Sequence, residues 1–126
     1  MKIYLASPLF TEYERDRVGD YASYLREQGH EVYVPMEHKI EGAWEMPNHV
    51  WARVVFDEDI KEIQKCDKIV CLYYGLYSDS GTAWECGYGY GIGKPIELID
   101  LSGKECSLMM VNGAINAFEF AEKNQT

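Results

Sequence analysis

The stretch Lys68-Ile-Val-Cys-Leu-Tyr73, followed at a short distance by Asp79-Ser-Gly-Thr-Ala-Trp-Glu85, decides how the rest of the chain is read. The run from Ile69 to Tyr73 is continuously apolar and does not alternate, which suits a strand covered on both faces at the centre of a parallel sheet. Gly75 to Gly81 then reads as a turn-rich loop, and Thr82 to Ile92 as a helix. Upstream, His49 to Cys66 repeats apolar residues at helical spacing (Trp51, Val55, Ile60, Ile63), and Asp67 ends that helix and ties down the turn before the strand.

Three further strands follow the same logic. Lys2 to Ala6 is a short apolar run ending in Ser7-Pro8, Glu31-Val-Tyr-Val-Pro35 is a strand stopped by proline, and Lys94 to Ile99 is the fourth. A helix after Thr11 carries Val18, Tyr21, Ala22 and Leu25 on one face and closes at Gly29, and a last helix is expected from Ser107 to Glu122. Residues 36 to 48, with Gly42 and Pro47 and no clean period, read as a loop over a site. Alternating strands and helices imply one α/β domain over residues 1–126. It is a three-layer, flavodoxin- or Rossmann-like parallel sheet of about four to five strands flanked by helices. Ligands in such sheets bind beyond the carboxyl ends of the strands, so the loops after Ala6, Val34 and Tyr73 are where chemistry is expected.

Composition narrows the partners. Among 126 residues, 21 acids outweigh 12 bases to give a net charge of −9, which argues against nucleic acid, whose phosphates call for a basic patch. The first apolar run, Ile3 to Ala6, is too short for a signal-peptide core, and nothing approaches the ~18 apolar residues of a membrane span. A cytoplasmic protein without membrane contact is expected. Cys66, Cys71, Cys86 and Cys106 form no C-x-x-C pair, and His30, His38 and His49 show no ligand spacing. Separate reduced thiols, no metal and no cofactor are the expectation. The run Gly87-Tyr-Gly-Tyr-Gly-Ile-Gly93-Lys94 fits neither dinucleotide-binding nor phosphate-loop registers, and reads as close packing with Gly93 ending the helix.

Two acids stand out. Glu85 has two readings: Thr82-Ala-Trp-Glu85 has capping-box spacing, yet Trp84, Cys86 and Tyr88 surround the carboxylate with apolar groups, and a partly dry carboxylate near a helix N-terminus can be kept ionised as a nucleophile. Asp59 lies four residues after Val55 and four before Ile63, which puts an acid on the inward face of its helix. It is either at the edge of that stripe or buried for a purpose. Cys86 is a poor alternative nucleophile, since it points about 100° around the helix from Glu85 and has no basic neighbour.

The blocks Ile3-Tyr-Leu-Ala-Ser-Pro-Leu-Phe10, Tyr33-Val-Pro35, Val50-Trp-Ala52, Asp59-Ile60 through Cys66-Asp67, Asp79 to Tyr88 and Gly93-Lys-Pro95 occur in an order that resembles the nucleoside 2-deoxyribosyltransferases and their relatives, the nucleotide N-glycosidases. The resemblance implies that Glu85 attacks C1′ of the sugar to form a glycosyl-enzyme ester that a second base opens. Asp59 is then the residue that supplies or holds the proton on the base, Tyr4 orients Glu85, and Asp79 holds the 5′-hydroxyl. Ser7, Phe10 and Gly81 fall in matched blocks and are assigned to substrate. The family completes each site with an Asn-x-Met segment of a neighbouring subunit. Its match here is Ser107-Leu-Met109, with serine for asparagine and Asn112 as a possible substitute. The resemblance thus implies a homo-oligomer, dimer or higher, with shared sites and with a nucleoside and a free nucleobase as small-molecule partners. Ser107 points toward the 5′-monophosphate N-glycosidases. Asp79, and the absence of arginine between Ala6 and Thr11, point toward uncharged nucleosides. A module that binds a nucleoside without turnover is the remaining alternative.

Overall fold

The computed structural model describes residues 1–37, 42–77, 79–101, 103 and 105–123, apart from the side chains of 36, 77 and 123. His38 and Lys39 of the expected site loop lie outside the described residues. Four strands, β1 (Lys2–Ala6), β2 (Glu31–Tyr33), β3 (Lys68–Tyr73) and β4 (Ile96–Asp100), form one parallel sheet in the order β2-β1-β3-β4. Strand order reverses between β1 and β3, so the carboxyl ends of these two strands flank the crevice where this architecture binds ligands.

Side-chain alternation divides the sheet into two cores. Ile3, Leu5, Val32, Val70 and Leu72 face one side, where helix α1 (Glu12–Glu27) packs Val18 and Ala22 onto them. Tyr4, Ala6, Ile69, Cys71 and Tyr73 face the other, under α2 (Asn48–Lys65), α3 (Ser80–Gly91), α4 (Leu108–Asn112) and α5 (Ala117–Lys123). The expected three-layer arrangement therefore holds, with α1 the one helix on its face among the described residues. Thr11 caps α1 through a capping box with Glu14. No helix among the described residues is long and apolar enough to cross a membrane.

The structure differs from the sequence-based reading at several boundaries. The last helix is two helices, because residues 114–116 leave helical geometry to dress the open edge of β4. The amide of Ile115 donates to the Ile96 carbonyl (2.7 Å), and the Asn116 side chain both accepts from Leu98 N (3.0 Å) and donates to Leu98 O (2.8 Å). β4 starts at Ile96 rather than Lys94, since Lys94 belongs to the stop of α3. Its amide bonds to the Gly89 carbonyl (2.8 Å) while Gly93 takes φ +86°. Pro35 opens a short 3-10 turn, ending β2 at Tyr33. Trp51, expected on the inner face of α2, is exposed.

The glycine run does pack closely. A Cβ on Gly89 would stand 2.2 Å from Ile69 Cδ1, so glycine is what lets α3 lie against β3. All four cysteines are free thiols.

Candidate active site

Period-two alternation on β1 sends Tyr4 to the opposite face from Ile3 and Leu5, under α2 and α3. On α3, Thr82, Cys86 and Gly89 form the buried stripe. Glu85 lies three residues after Thr82 and four before Gly89, which turns its carboxylate inward. There the Tyr4 hydroxyl donates to Glu85 Oε2. This hydrogen bond replaces the capping-box role that the sequence allowed for Glu85. The cap of α3 is Asp79, whose Oδ1 accepts from Thr82 N (2.9 Å) and Oδ2 from the Thr82 hydroxyl (2.7 Å), leaving Thr82 inside the helix. Gly81 permits that geometry, because a Cβ there would come within 2.9 Å of Asp79 Oδ1.

Asp59 faces inward from α2, as its spacing implies, and accepts a hydrogen bond from the Tyr33 hydroxyl (3.1 Å). Tyr33 pairs in register with Tyr4 on the neighbouring strand, and the two rings stack at 5.5 Å with 25° between their planes. Two stacked tyrosines thus each donate to one of two carboxylates. Alternation offered a signal for Tyr33, since it stands between Val32 and Val34 as Tyr4 stands between Ile3 and Leu5, but the sequence reading gave Tyr33 no role.

Glu85 and Asp59 open onto one cleft of about 410 Å³, lined also by Ser7, Leu9, Val55, Phe56, Gly81 and Trp84. Phe56 and Trp84 meet across it from α2 and α3 with ring centroids 5.3 Å apart, and Trp84 stacks in turn on Tyr88. Every other described lining residue is apolar, and none is a lysine or arginine. A larger cleft of about 560 Å³ lies between α1 and the β3–β4 face, and there Lys68 and Glu97 neutralise each other at 2.7 Å. The facing carboxylates make the smaller cleft the chemical one.

Burial pushes the Glu85 carboxyl up to about 7. The Tyr4 hydroxyl pulls it down, and Asp59 and Asp79 push it further up. The helix N-terminus does not hold Glu85 at an ordinary carboxylate value, because it sits in the second turn of α3, beyond the reach of the terminal amides. Burial first, then the nearby Glu85, pushes Tyr4 far above the usual phenol range, and burial followed by Asp59 raises Tyr33. Both hydroxyls therefore stay protonated donors near neutral pH.

The other expected site residues are placed as follows. Ser7 is buried at the end of β1 and donates to the Pro8 carbonyl (2.9 Å). Phe10 is 78% exposed and outside the cleft lining. Ser107, Met109 and Asn112 are not brought to Glu85 within one chain. They line a second cleft of about 520 Å³ on the other side of α3, with Ala83, Cys86 and Tyr90. Ser107 caps α4, and Asn112 Nδ2 donates to the Leu108 carbonyl (2.8 Å). In the expected loop over the site, Glu37 pairs with Arg26 at 2.6 Å and Trp44 is exposed.

The geometry can be set beside known proteins. A 2-deoxyribosyltransferase of Bacillus psychrosaccharolyticus is similar in structure, with 34% identity and a TM-score of 0.81 over 90% of this chain and 82% of that one. A CMP N-glycosidase of Clostridium botulinum (24% identity, TM-score 0.61, 90% and 79% covered) and a conserved protein of Enterococcus faecalis V583 (22%, 0.67, 99% and 78%) share the fold. No curated protein matches the sequence. The nucleoside 2-deoxyribosyltransferase family profile matches residues 3–113, which span Tyr4, Tyr33, Asp59, Asp79 and Glu85, and the chain is an enzyme that belongs to the nucleoside 2-deoxyribosyltransferase family.

Proposed function

We propose that the protein moves 2-deoxyribose between the bases of 2′-deoxyribonucleosides by double displacement on Glu85, with hydrolysis when water replaces the second base. The observation that carries this reading is the Tyr4-to-Glu85 hydrogen bond at the edge of a cleft shared with Asp59. Tyr4 engages Oε2, which leaves the other carboxylate oxygen for C1′. As the C1′–N bond breaks, the C1′–O bond to Glu85 forms, and the departing base takes up a proton that Asp59 supplies or holds. In the second half a nitrogen of the incoming base attacks C1′, the ester to Glu85 breaks, and Asp59 receives the proton. Phe56 and Trp84 offer the base an aromatic wall, while Asp79 can accept the 5′-hydroxyl beside its cap bonds, since a carboxylate has about four acceptor sites.

Ser107 favours a second reading, hydrolysis of a 5′-monophosphate. The cleft opposes it. Two carboxylates and no cation line the described walls, and each carboxylate about 4 Å from a phosphate charge costs about 1–4 kcal/mol.

The site is further proposed to be completed by a second copy of the chain. Tyr90, Leu108, Met109, Ile115 and Phe118 are 62–85% exposed around α3–α5, an apolar face of the kind that marks an interface. Incubation with deoxyinosine plus adenine, then with dCMP and dGMP, tests the function, with Glu85→Ala as control. Base exchange lost in Glu85→Ala is expected. Turnover of monophosphates alone reverses the order of the two readings, and activity surviving in Glu85→Ala removes the mechanism. A verified monomer with full activity removes the shared site.

A further inference from the structure

We infer that Tyr33 is a positioning residue for the proton on the base, acting through Asp59 as Tyr4 acts on Glu85. The inference rests on the proposed proton role of Asp59.

The geometry sets the two tyrosines in parallel. They are partners in the β1–β2 register, they stack at 5.5 Å, and each hydroxyl ends on a different carboxylate of the same cleft. The bond from Tyr33 to Asp59 spans 26 residues of sequence and joins β2 to α2, so it fixes the carboxyl against the sheet and not merely against its own helix. An aspartate has two rotatable side-chain bonds, and a donor on Oδ1 from a neighbouring strand restricts the orientations in which the carboxyl can meet the base. The donor also stabilises the carboxylate that Asp59 becomes after giving up a proton. Burial and Asp59 keep the Tyr33 hydroxyl protonated, so it meets Asp59 as a donor. The charged groups around the pair are Asp59, Glu58 and Glu62 on α2 and Glu85 on α3, with Tyr4 on β1. Among the described residues these groups are acids and phenols, and Tyr33 supplies Asp59 with a neutral donor.

A structural tyrosine and a positioning tyrosine differ in what their loss does to different leaving groups. Deoxyinosine needs its base protonated to leave, whereas 7-methyl-2′-deoxyguanosine carries a cationic base that departs neutral without a proton. Tyr33→Phe keeps the ring on Tyr4 and removes only the donor. Turnover of both nucleosides is measured in wild type, Tyr33→Phe and Asp59→Asn, with thermal unfolding as a check of the fold. Asp59→Asn is expected to slow deoxyinosine about 100-fold or more, the scale of general acid catalysis, and the methylated nucleoside little. Tyr33→Phe is expected to show the same selectivity at about tenfold, with the methylated nucleoside within about twofold of wild type. Selectivity in Asp59→Asn but not in Tyr33→Phe, or equal loss on both substrates in Tyr33→Phe, overturns the inference alone. An Asp59→Asn enzyme that treats both substrates alike overturns the proton role of Asp59 and the inference with it.

Discussion

Replacing Glu85 with glutamine separates the cost of this carboxylate from its use. In the folded protein the carboxyl is pushed from 4.5 to about 7, chiefly by burial. A carboxyl whose folded value lies above its unfolded value holds its proton more tightly in the native state. The native state is therefore favoured most below pH 4.5 and loses that advantage as pH rises through the interval to about 7. At about 1.4 kcal/mol per pH unit, the loss by pH 8 amounts to about 3 kcal/mol. Glutamine has the shape of the protonated acid and no charge to desolvate, so a Glu85→Gln chain is spared this loss. The comparison to make is a double difference: unfolding free energy at pH 8 minus that at pH 4.5, variant against wild type. Any pH-independent change from the new amide cancels, as does the background titration of the other acids. Urea unfolding at half-unit pH steps gives the measurement, and about 3 kcal/mol moves the midpoint by about 1 M or more. The variant is expected to gain on wild type between pH 4.5 and 7 while losing base exchange altogether. Parallel stability profiles for the two proteins would refute the claim that the nucleophile is buried at a cost, whatever the variant does to activity.

Other outcomes follow from the same site. Because the nucleophile works as a carboxylate, kcat/KM for deoxyinosine is expected to rise with pH through a midpoint near 7, the value to which Glu85 is pushed, and a rising limb centred below pH 5 contradicts it. Tyr4→Phe deletes the hydroxyl that holds Glu85 down, so that limb should move up by about 1–2 pH units, the worth of a hydrogen bond to a charged group, and an unmoved limb refutes the role of Tyr4. Trp84→Ala removes one ring of the aromatic wall and is expected to raise KM for the acceptor base about tenfold with kcat nearly kept. A loss confined to kcat contradicts base stacking there. Gly89→Ala drives a methyl into Ile69 Cδ1 and should cost about 1–3 kcal/mol in chemical denaturation. Ile69→Val, which removes that methyl, should recover part of the loss in the double variant, and strictly additive losses contradict the contact.

The parallel sheet was legible because its signals are local. The continuous apolar runs of β1 and β3 each imply that both faces are covered, and the described strands are buried on both. Asp59 was legible as an inward acid from helical spacing, whereas Glu85 stood out by its apolar neighbours and had a capping-box reading beside it. What spacing could not decide was which hydroxyl met which carboxylate. Thr82 and Glu85 have the separation of a capping box, but Asp79 is one turn nearer the true start of α3 and takes the cap, and Glu85 is then claimed by a tyrosine 81 residues away. The register of β1 against β2, which puts Tyr33 beside Tyr4, is likewise a long-range fact. The break after α4 was hidden because Asn116 is an ordinary helix residue until an open strand edge competes for its amide.

Burial sets both the reactivity of the site's carboxylates and their cost. A nucleophilic carboxylate gains reactivity by losing water, and burial exacts that loss from every ionisable group nearby. Pairing Glu85 with a lysine would relieve the strain, but it would also draw off the negative charge that must meet the developing positive charge at C1′. A neutral donor does neither in full. Tyr4 lowers the carboxyl only part of the way, leaving it at about 7, and the nearby Asp59 and Asp79 keep it from falling further. The same arrangement selects substrates by charge. A cleft whose described polar anchors are carboxylates and hydroxyls stabilises a sugar as it turns cationic and repels an anion before reaction begins. Tolerance of a 5′-phosphate would then require cations from outside these described walls. Adding one, as Leu9→Arg at the cleft edge, should raise turnover of 2′-deoxyribonucleoside 5′-monophosphates relative to the nucleosides. A ratio of the two turnovers unchanged by that arginine would show that charge in this cleft does not set the choice.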